Sequence, residues 1–331
     1  MINDFFKEFL TKNSIMDDYG LKYNHNSMNE IDKADNEYSI SLLCNKALIK
    51  CIGKDVESFL NTQFTNDLNN LKKNKIILSG YCNPKGRLLS VFYIFQLDND
   101  YYLYTTLDSV ESLLNKLNMY KMALNVEFKL QKDILIGITN NKKNNKADVQ
   151  YRDTEEIKKI NKSIIFKTFK NQTIVSTNID DFKNLFYNDN LNLLGYKAWD
   201  YLDTKNLIPF IKSSAIELYT PQMVSLDLLD GVSYTKGCYP GQEIVARTHY
   251  LGEAKKSLFQ IDIMSKHDID ISSKIIDQKN EKKVGDIINI IKIADNKYSC
   301  LCVLRKESIN SELTINKNDA LKVIKGVKKN D

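Results

Sequence analysis

At 331 residues the chain is too long for one ordinary hydrophobic core, so two or more subdomains are expected. Its 43% hydrophobic and 27% charged residues are the profile of a soluble globular protein, and no apolar run is long enough to span a bilayer. The net charge of +5, from 47 Lys and Arg against 42 Asp and Glu, permits contact with nucleic acid or an anionic ligand without demanding it.

The first residues, MINDFFKEFLTKNS, mix acids with a very short apolar run and read as neither signal peptide nor membrane anchor. The expected location is the cytoplasm or an equally reducing compartment. Asp4 is placed to cap a short amphipathic helix carrying Phe5, Phe6, Phe9 and Leu10, and residues 1–37 read as an N-terminal arm or helix. ALIKCIG (47–53) then reads as a strand. Asp55 is expected to cap a helix through VESFLNTQFTNDLNNL, with Val56, Phe59, Leu60 and Phe64 on its core face. Residues 76–106 hold three strand-like runs broken at NPKG and LDND, both favourable turn sequences. A helix over 107–121 and two strands, VEFKL and ILIGI, follow. This alternation predicts an α+β subdomain with an antiparallel sheet.

Residues 139–156 read as a surface connection within a region spanning 38–253. IIFKTF and QTIVST form a predicted hairpin, and IDDFKNLFYN and YKAWDYLDTKN predicted helices. From about residue 254 to 331 the pattern changes to short strands split by Asn, Asp, Lys and Ser: SLFQIDI, SSKIID, GDIINIIKI, KYSCLCVLRK and ALKVIKG. That is the pattern of a small antiparallel barrel or sandwich.

One stretch concentrates the unusual residues: KGCYPGQEIVAR, 236–247, sets two glycines and a proline around Cys238. Pro240 suits the first turn of a helix, with Glu243 near the positive end of its dipole. Lys236 and that helix end would both favour a thiolate at Cys238. The alternative is a turn whose glycines serve backbone geometry while Cys238 fills a small pocket. Spacing leaves both open. His249 follows in RTHYLG, but no third orienting group accompanies it, so a hydrolytic Cys–His pair is disfavoured. A thiol engaging a metal–sulfur species, a redox partner or another protein fits better. The other cysteines, Cys44, Cys51, Cys82, Cys300 and Cys302, form no C-x-x-C pair, and with only three histidines no metal site is expected. Cys300 and Cys302 share one face of a predicted strand and are expected to be buried.

Upstream lies Trp199, the only tryptophan. It is either a core residue or an aromatic wall for a planar heterocycle, with Glu217 and Gln222 as hydrogen-bonding candidates. GYCNPKGR (80–87) offers Lys85 and Arg87 on a turn, which would bind phosphate or carboxylate or stand in solvent.

YTKGCYPGQEIVARTHYLGEAKK closely resembles the K-G-C-Y-x-G-Q-E signature of the YgfZ group within the GcvT-like folate-binding superfamily. Supporting pieces from about residue 45 onward are IGKDVESFLNTQFTNDL, SGYCNPKGRLLSVF, NLIPFI and LYTPQMVSLDLLDGVSYTKGCY. The resemblance implies a ring of α+β subdomains around a central folate site, followed by a C-terminal β-barrel. It implies binding of tetrahydrofolate or a one-carbon derivative, without established turnover. It also implies a role with iron–sulfur client or assembly proteins, with tRNA thiomethylation as an indirect effect. Lys236, Gly237, Cys238, Tyr239, Gly241, Gln242 and Glu243 match the signature. Cys238 and Lys236 are thereby the working-group candidates, and Trp199, Glu217, Gln222, Tyr239, Gln242 and Glu243 the candidate folate contacts. A second folate-contacting tryptophan of the bacterial members aligns with Lys46 here. A glycine-cleavage-type aminomethyltransferase is the competing reading; it lacks the cysteine signature and needs a positioned carboxylate, for which Asp67 is the candidate.

Overall fold

The computed structural model describes residues 14–17, 20–23, 27–71, 75–139, 157–169, 172–178, 180–182, 192–316 and 319–328. The helix expected behind Asp4, the connection at 140–156 and most of the helix expected at 179–188 lie outside them.

In chain order, a two-stranded ribbon, β1 (Ser14–Asp17) and β2 (Gly20–Tyr23), precedes helix α1 (Ser27–Asn36). Then come β3 (Ser39–Leu42), β4 (Lys46–Ile52), α2 (Val56–Gln63), β5 (Ile76–Cys82), β6 (Leu88–Leu97) and β7 (Asp100–Thr106). Helix α3 (Val110–Lys121) leads to β8 (Glu127–Leu130), β9 (Ile134–Thr139), β10 (Lys158–Ile160), β11 (Ser163–Phe169), β12 (Gln172–Thr177) and β13 (Asn192–Leu194). Helices α4 (Tyr196–Lys205) and α5 (Gln242–Leu251) bracket a stretch of turns. The chain ends in β14 (Lys256–Met264), β15 (Lys274–Asp277), β16 (Lys282–Ala294), β17 (Lys297–Arg305), β18 (Leu313–Ile315) and β19 (Asp319–Gly326).

The strands make a five-stranded sheet ordered β5-β6-β7-β4-β8 and a six-stranded sheet ordered β10-β11-β12-β9-β3-β13. The last six close into an antiparallel barrel, β14-β17-β16-β15-β18-β19, with β19 returning to β14. The fold is thus α+β with a C-terminal barrel. β18 has no counterpart among the strands read from sequence, since three residues carry no measurable alternation.

Period-2 alternation assigns each sheet two buried faces. In β6 and β7, Val91, Tyr93, Phe95, Tyr102 and Tyr104 enter the central core, while Phe92, Ile94, Tyr101 and Leu103 pack with the apolar faces of α2 and α3. The two sheets meet where Phe166 of β11 packs 4.7 Å from Phe95 and 5.5 Å from Tyr104, centroid to centroid. Helix α4 enters the same core through Ala198, Trp199 and Leu202, and the barrel contributes Leu258, Ile288, Leu301 and Val303 from its outer wall.

Two local expectations are corrected. Helix α2 ends at Gln63 instead of running to Leu71. Phe64 turns extended and bridges Tyr81, and the Thr65 N–H bonds to the Gly80 carbonyl, so these residues join the edge of β5. Asp55 precedes α2 without capping it, because its carboxylate accepts from the Asn125 N–H at 2.8 Å. Cys300 and Cys302 both lie inside the barrel, fully buried, as alternation requires.

Candidate functional site

Helix α5 begins at Gln242 after Gly241, whose φ of 80° lies in the left-handed region that glycine adopts without strain. Pro240 therefore precedes the cap and is not in the first helical turn. A Cβ at Gly241 would come within 2.5 Å of the Asn83 carbonyl oxygen and the Gly86 Cα. The NPKG turn between β5 and β6 is thus seated directly against the start of α5, and the two motifs noted separately in the sequence are neighbours. Lys85 is exposed on that turn, while the Arg87 guanidinium donates to the Leu218 carbonyl at 2.7 Å.

Lys236 is buried and reaches away from this junction to the end of α2. Its Nζ donates to the Asn61 carbonyl (2.6 Å) and Oδ1 (3.1 Å), the Phe64 carbonyl (2.8 Å) and the Asn66 carbonyl (2.7 Å). A helix ends with carbonyls that have no intrahelical donor and with the negative end of its dipole, so an ammonium satisfies both. Burial lowers the lysine's pKa to about 8, with Asp67 opposing. Its ring neighbour is Tyr239, 5.6 Å from Nζ to centroid. Gln242 Nε2 donates to the Lys236 carbonyl at 3.3 Å and pins the loop from the other side.

Between these anchors Cys238 is exposed. Gly237 has open space where a side chain would start. Cys51, Cys82, Cys300 and Cys302 are buried and Cys44 is intermediate, so Cys238 is the accessible thiol of the six. Burial raises the pKa of Cys51, Cys82 and Cys302. His249 is stacked on Tyr234, 3.7 Å between centroids and 15° apart, and that pairing accounts for its ring.

The candidate folate contacts divide into two groups. Gln222, Tyr239 and Gln242 surround the Lys236 loop. Gln222 Nε2 donates to the Val245 carbonyl (2.7 Å) and the Tyr234 hydroxyl (3.2 Å). Glu243 is exposed in the first turn of α5. Glu217 is exposed on the chain beside Arg87 and Leu88, its N–H bonded to the Leu88 carbonyl. Trp199 belongs elsewhere, fully buried in the central core with β9 laid across its ring. A Cβ at Gly137 would fall 2.3 Å from the indole.

Beside Trp199 stands a buried ionic group that the sequence reading did not assemble. Lys46 is 2.7 Å from Asp203 and 3.1 Å from Asp200, and Asn45 and Gln172 donate to the same two carboxylates. Burial works against the Lys46 charge, but Asp200 and Asp203 outweigh it and push its pKa up. Burial likewise raises Asp203, while at Asp200 the nearby cations prevail and lower it. Asp200 and Asp203 are spaced i and i+3 around one helical turn, and their lysine lies more than 150 positions upstream.

Several buried polar atoms remain without a hydrogen-bond partner. They include Gln222 Oε1 and the Tyr239 hydroxyl. Trp199 Nε1 lies by the Tyr104 hydroxyl without completing a bond to it. Each is a polar group that a bound ligand could satisfy, the oxygens at the Lys236 loop and the indole N–H in the central core. Among the described residues no group of three or more His, Cys, Asp or Glu is placed to hold a metal ion.

No protein-family model matches the chain. The chain is 27% identical over 282 residues to the tRNA-modifying protein YgfZ of Aliivibrio fischeri strain MJ11, covering 84% of this chain and 88% of that one. It is 30% identical over 236 residues to the tRNA-modifying protein YgfZ of Vibrio vulnificus strain CMCP6, covering 68% and 70%. Among solved structures, the glycine cleavage system aminomethyltransferase T of Bartonella henselae superposes with a TM-score of 0.78 over 98% of this chain and 96% of that one. At 10% identity that likeness is one of fold.

Proposed function

The chain belongs to the YgfZ family, and from that premise we propose that it is a folate-binding accessory protein that supports tRNA modification by assembling or repairing iron–sulfur proteins. The observation that carries this reading is the exposed Cys238, displayed on a loop fixed at both ends. Lys236 ties the loop to α2 through four oxygens, and Gly241 seats it on the NPKG turn. Such anchoring costs backbone freedom and is useful where one side chain must meet a partner in a defined pose. A single thiol cannot by itself complete an iron–sulfur coordination sphere, so Cys238 would act together with ligands or sulfur supplied by a client protein. No helix among the described residues is long and apolar enough to cross a membrane, and we place this role in the cytoplasm.

Tetrahydrofolate, once bound, would supply a one-carbon acceptor nitrogen. Toward it Trp199 would offer a flat apolar face and an N–H donor, and Gln222 and Tyr239 would offer unsatisfied oxygens. Gln242 acts through the loop, and Glu217 and Glu243, both exposed, would meet only the solvent-facing end of a ligand.

Aminomethyl transfer is the second reading, favoured by the fold likeness. Its candidate base is engaged: the Asp67 carboxylate caps a short turn, accepting from the Asn69 N–H at 3.0 Å. The deciding experiment is rescue in cells lacking this protein, with wild type and Cys238→Ala at matched levels and thiomethylated tRNA read by mass spectrometry. Rescue by wild type alone is expected. No rescue by wild type sinks the reading, and methylenetetrahydrofolate formation from an aminomethylated lipoyl carrier becomes the assay that matters.

A further inference from the structure

Three charged side chains lie buried at the centre of the fold, and nothing in the proposed function uses them. Two carboxylates, Asp200 and Asp203, face the one ammonium of Lys46, which also lies 4.5 Å from the centroid of the Phe210 ring. Desolvation offsets most of the attraction in such a group, and apolar side chains of similar volume would hold the fold as well. The group therefore asks for a role beyond stability.

Its position supplies one. On one side it adjoins the Trp199 surroundings. Lys46 pairs with Thr106 and Leu48 with Tyr104, so Lys46 and Tyr104 lie on one face of the β4–β7 ladder, and Tyr104 meets both Phe210 and the indole edge. On the other side Lys46 lines a cleft of about 190 Å³, walled largely by apolar side chains such as Leu42, Leu107 and Leu135, with Gln131, Lys132 and Asp133 as its polar part. One side chain thus touches both the enclosed tryptophan region and an open, largely apolar cleft.

We infer that Lys46 determines ligand selection at the centre of the fold: its ammonium occupies the Asp200 and Asp203 oxygens that the N–H edge of a planar heterocycle would otherwise use, and binding beside Trp199 requires Lys46 to turn out into the cleft. The inference rests on the folate reading above. The ligand-free centre satisfies its own carboxylates and so binds a neutral heterocycle weakly. Lysine is held in place by its two ion pairs, whereas methionine carries no charge to pair and its thioether suits the largely apolar cleft, so methionine at position 46 would yield where lysine holds.

The test is a titration of the full chain with tetrahydrofolate, read by calorimetry for binding anywhere and by emission of Trp199, the sole tryptophan, for binding at the centre. One variant combines Lys46→Met with Asp203→Asn, removing one buried charge of each sign. A second, Asp203→Asn alone, loosens the 2.7 Å contact and leaves Lys46 with Asp200. The expected result is weak binding to wild type, with Kd falling about tenfold in the double variant and less in the single one, and with altered emission in each. Equal affinity in all three, with altered emission, overturns the role of Lys46 and leaves the folate reading intact. Binding without any change in emission puts the ligand elsewhere and overturns this inference alone. Binding to none of the folded proteins overturns both. Should the double variant fail to fold, Asp203→Asn is judged by the same criteria.

Discussion

Lys236 and Cys238 are two residues apart and do opposite things: one is sunk into the protein, the other displayed. Lys236→Met would keep the aliphatic stem and strip the end of α2 of its cation, leaving up to three backbone oxygens without a donor, while Asn61 Oδ1 keeps the Leu68 N–H. We expect a loss of about 3 kcal/mol in urea unfolding; a loss under about 1 kcal/mol would mean that water replaces the ammonium at little cost. The same residue gives a pH signature. Its folded pKa of about 8 lies below the ordinary 10.5, so the folded chain releases this proton first. Between those values the unfolded chain binds more protons, and stability attributable to Lys236 rises as pH rises; below pH 8 both states carry the charge and the contribution is flat. Wild type should therefore gain more stability than Lys236→Met from pH 8 to 10.5, and a difference that stays constant would contradict the burial effect. For Cys238 the expectation is alkylation by iodoacetamide roughly tenfold faster than at Cys51, Cys82, Cys300 or Cys302, since those four are shielded and three carry raised pKa values. Uniform labelling of the folded chain would remove Cys238 as the distinctive thiol.

At the scale of elements, the junction of α5 with the β5–β6 turn rests on one glycine. Gly241→Ala meets two obstacles at once, a positive φ and backbone atoms 2.5 Å from the new methyl group, neither of which can move cheaply. A loss of about 2 kcal/mol or more is expected in urea, against little change for Gly252→Ala, where the backbone is extended and the nearest atom stands 4.0 Å away. Equal effects at the two glycines would show that the close approach relaxes. The signature glycine was legible in the sequence because glycine and proline are scarce here; what it packs against was not. The same division runs through the chain. Strands β5 to β7 and most barrel strands could be read because each is a short run rich in apolar, aromatic and β-branched residues bounded by turn residues, a pattern local to the strand. Helix α2 was overextended because Phe64 keeps helical spacing with Leu60, while the acceptors that pull Thr65 out of the helix, Gly80 and Gly231, belong to distant segments. The orientation of Lys236 was hidden for the same reason, its four oxygens lying 170 or more positions upstream. Local periodicity reaches one element; the direction of a long polar side chain is decided by whichever element arrives beside it.

For the whole molecule, a boundary near residue 254 marks a change of strand pattern and does not mark a break in the core. Leu258, Leu301 and Val303 on the outer wall of the barrel belong to the same buried cluster as Phe95, Phe166 and Trp199. Polar contacts cross the boundary as well: the Leu258 N–H donates to Ser225 Oγ at 3.0 Å, and Asn289 joins Thr204 of α4 to Lys212. The barrel interior, with Ile261, Cys300, Cys302 and Leu304, is a separate cluster that could persist alone. The shared outer wall argues that it does not, because barrel removal would expose the tryptophan core to water. Unfolding in urea should therefore be one transition, with Trp199 emission, which reports the centre, and far-ultraviolet circular dichroism, which reports both large sheets and the barrel, falling together. Leu258→Ala, made on the barrel, should lower both midpoints in step by the equivalent of about 3 kcal/mol. If the dichroism instead shows two steps and emission follows only the first, the barrel is an independent unit docked on the core. The Ser225 and Asn289 contacts would then be an interface between domains and not part of one cooperative body.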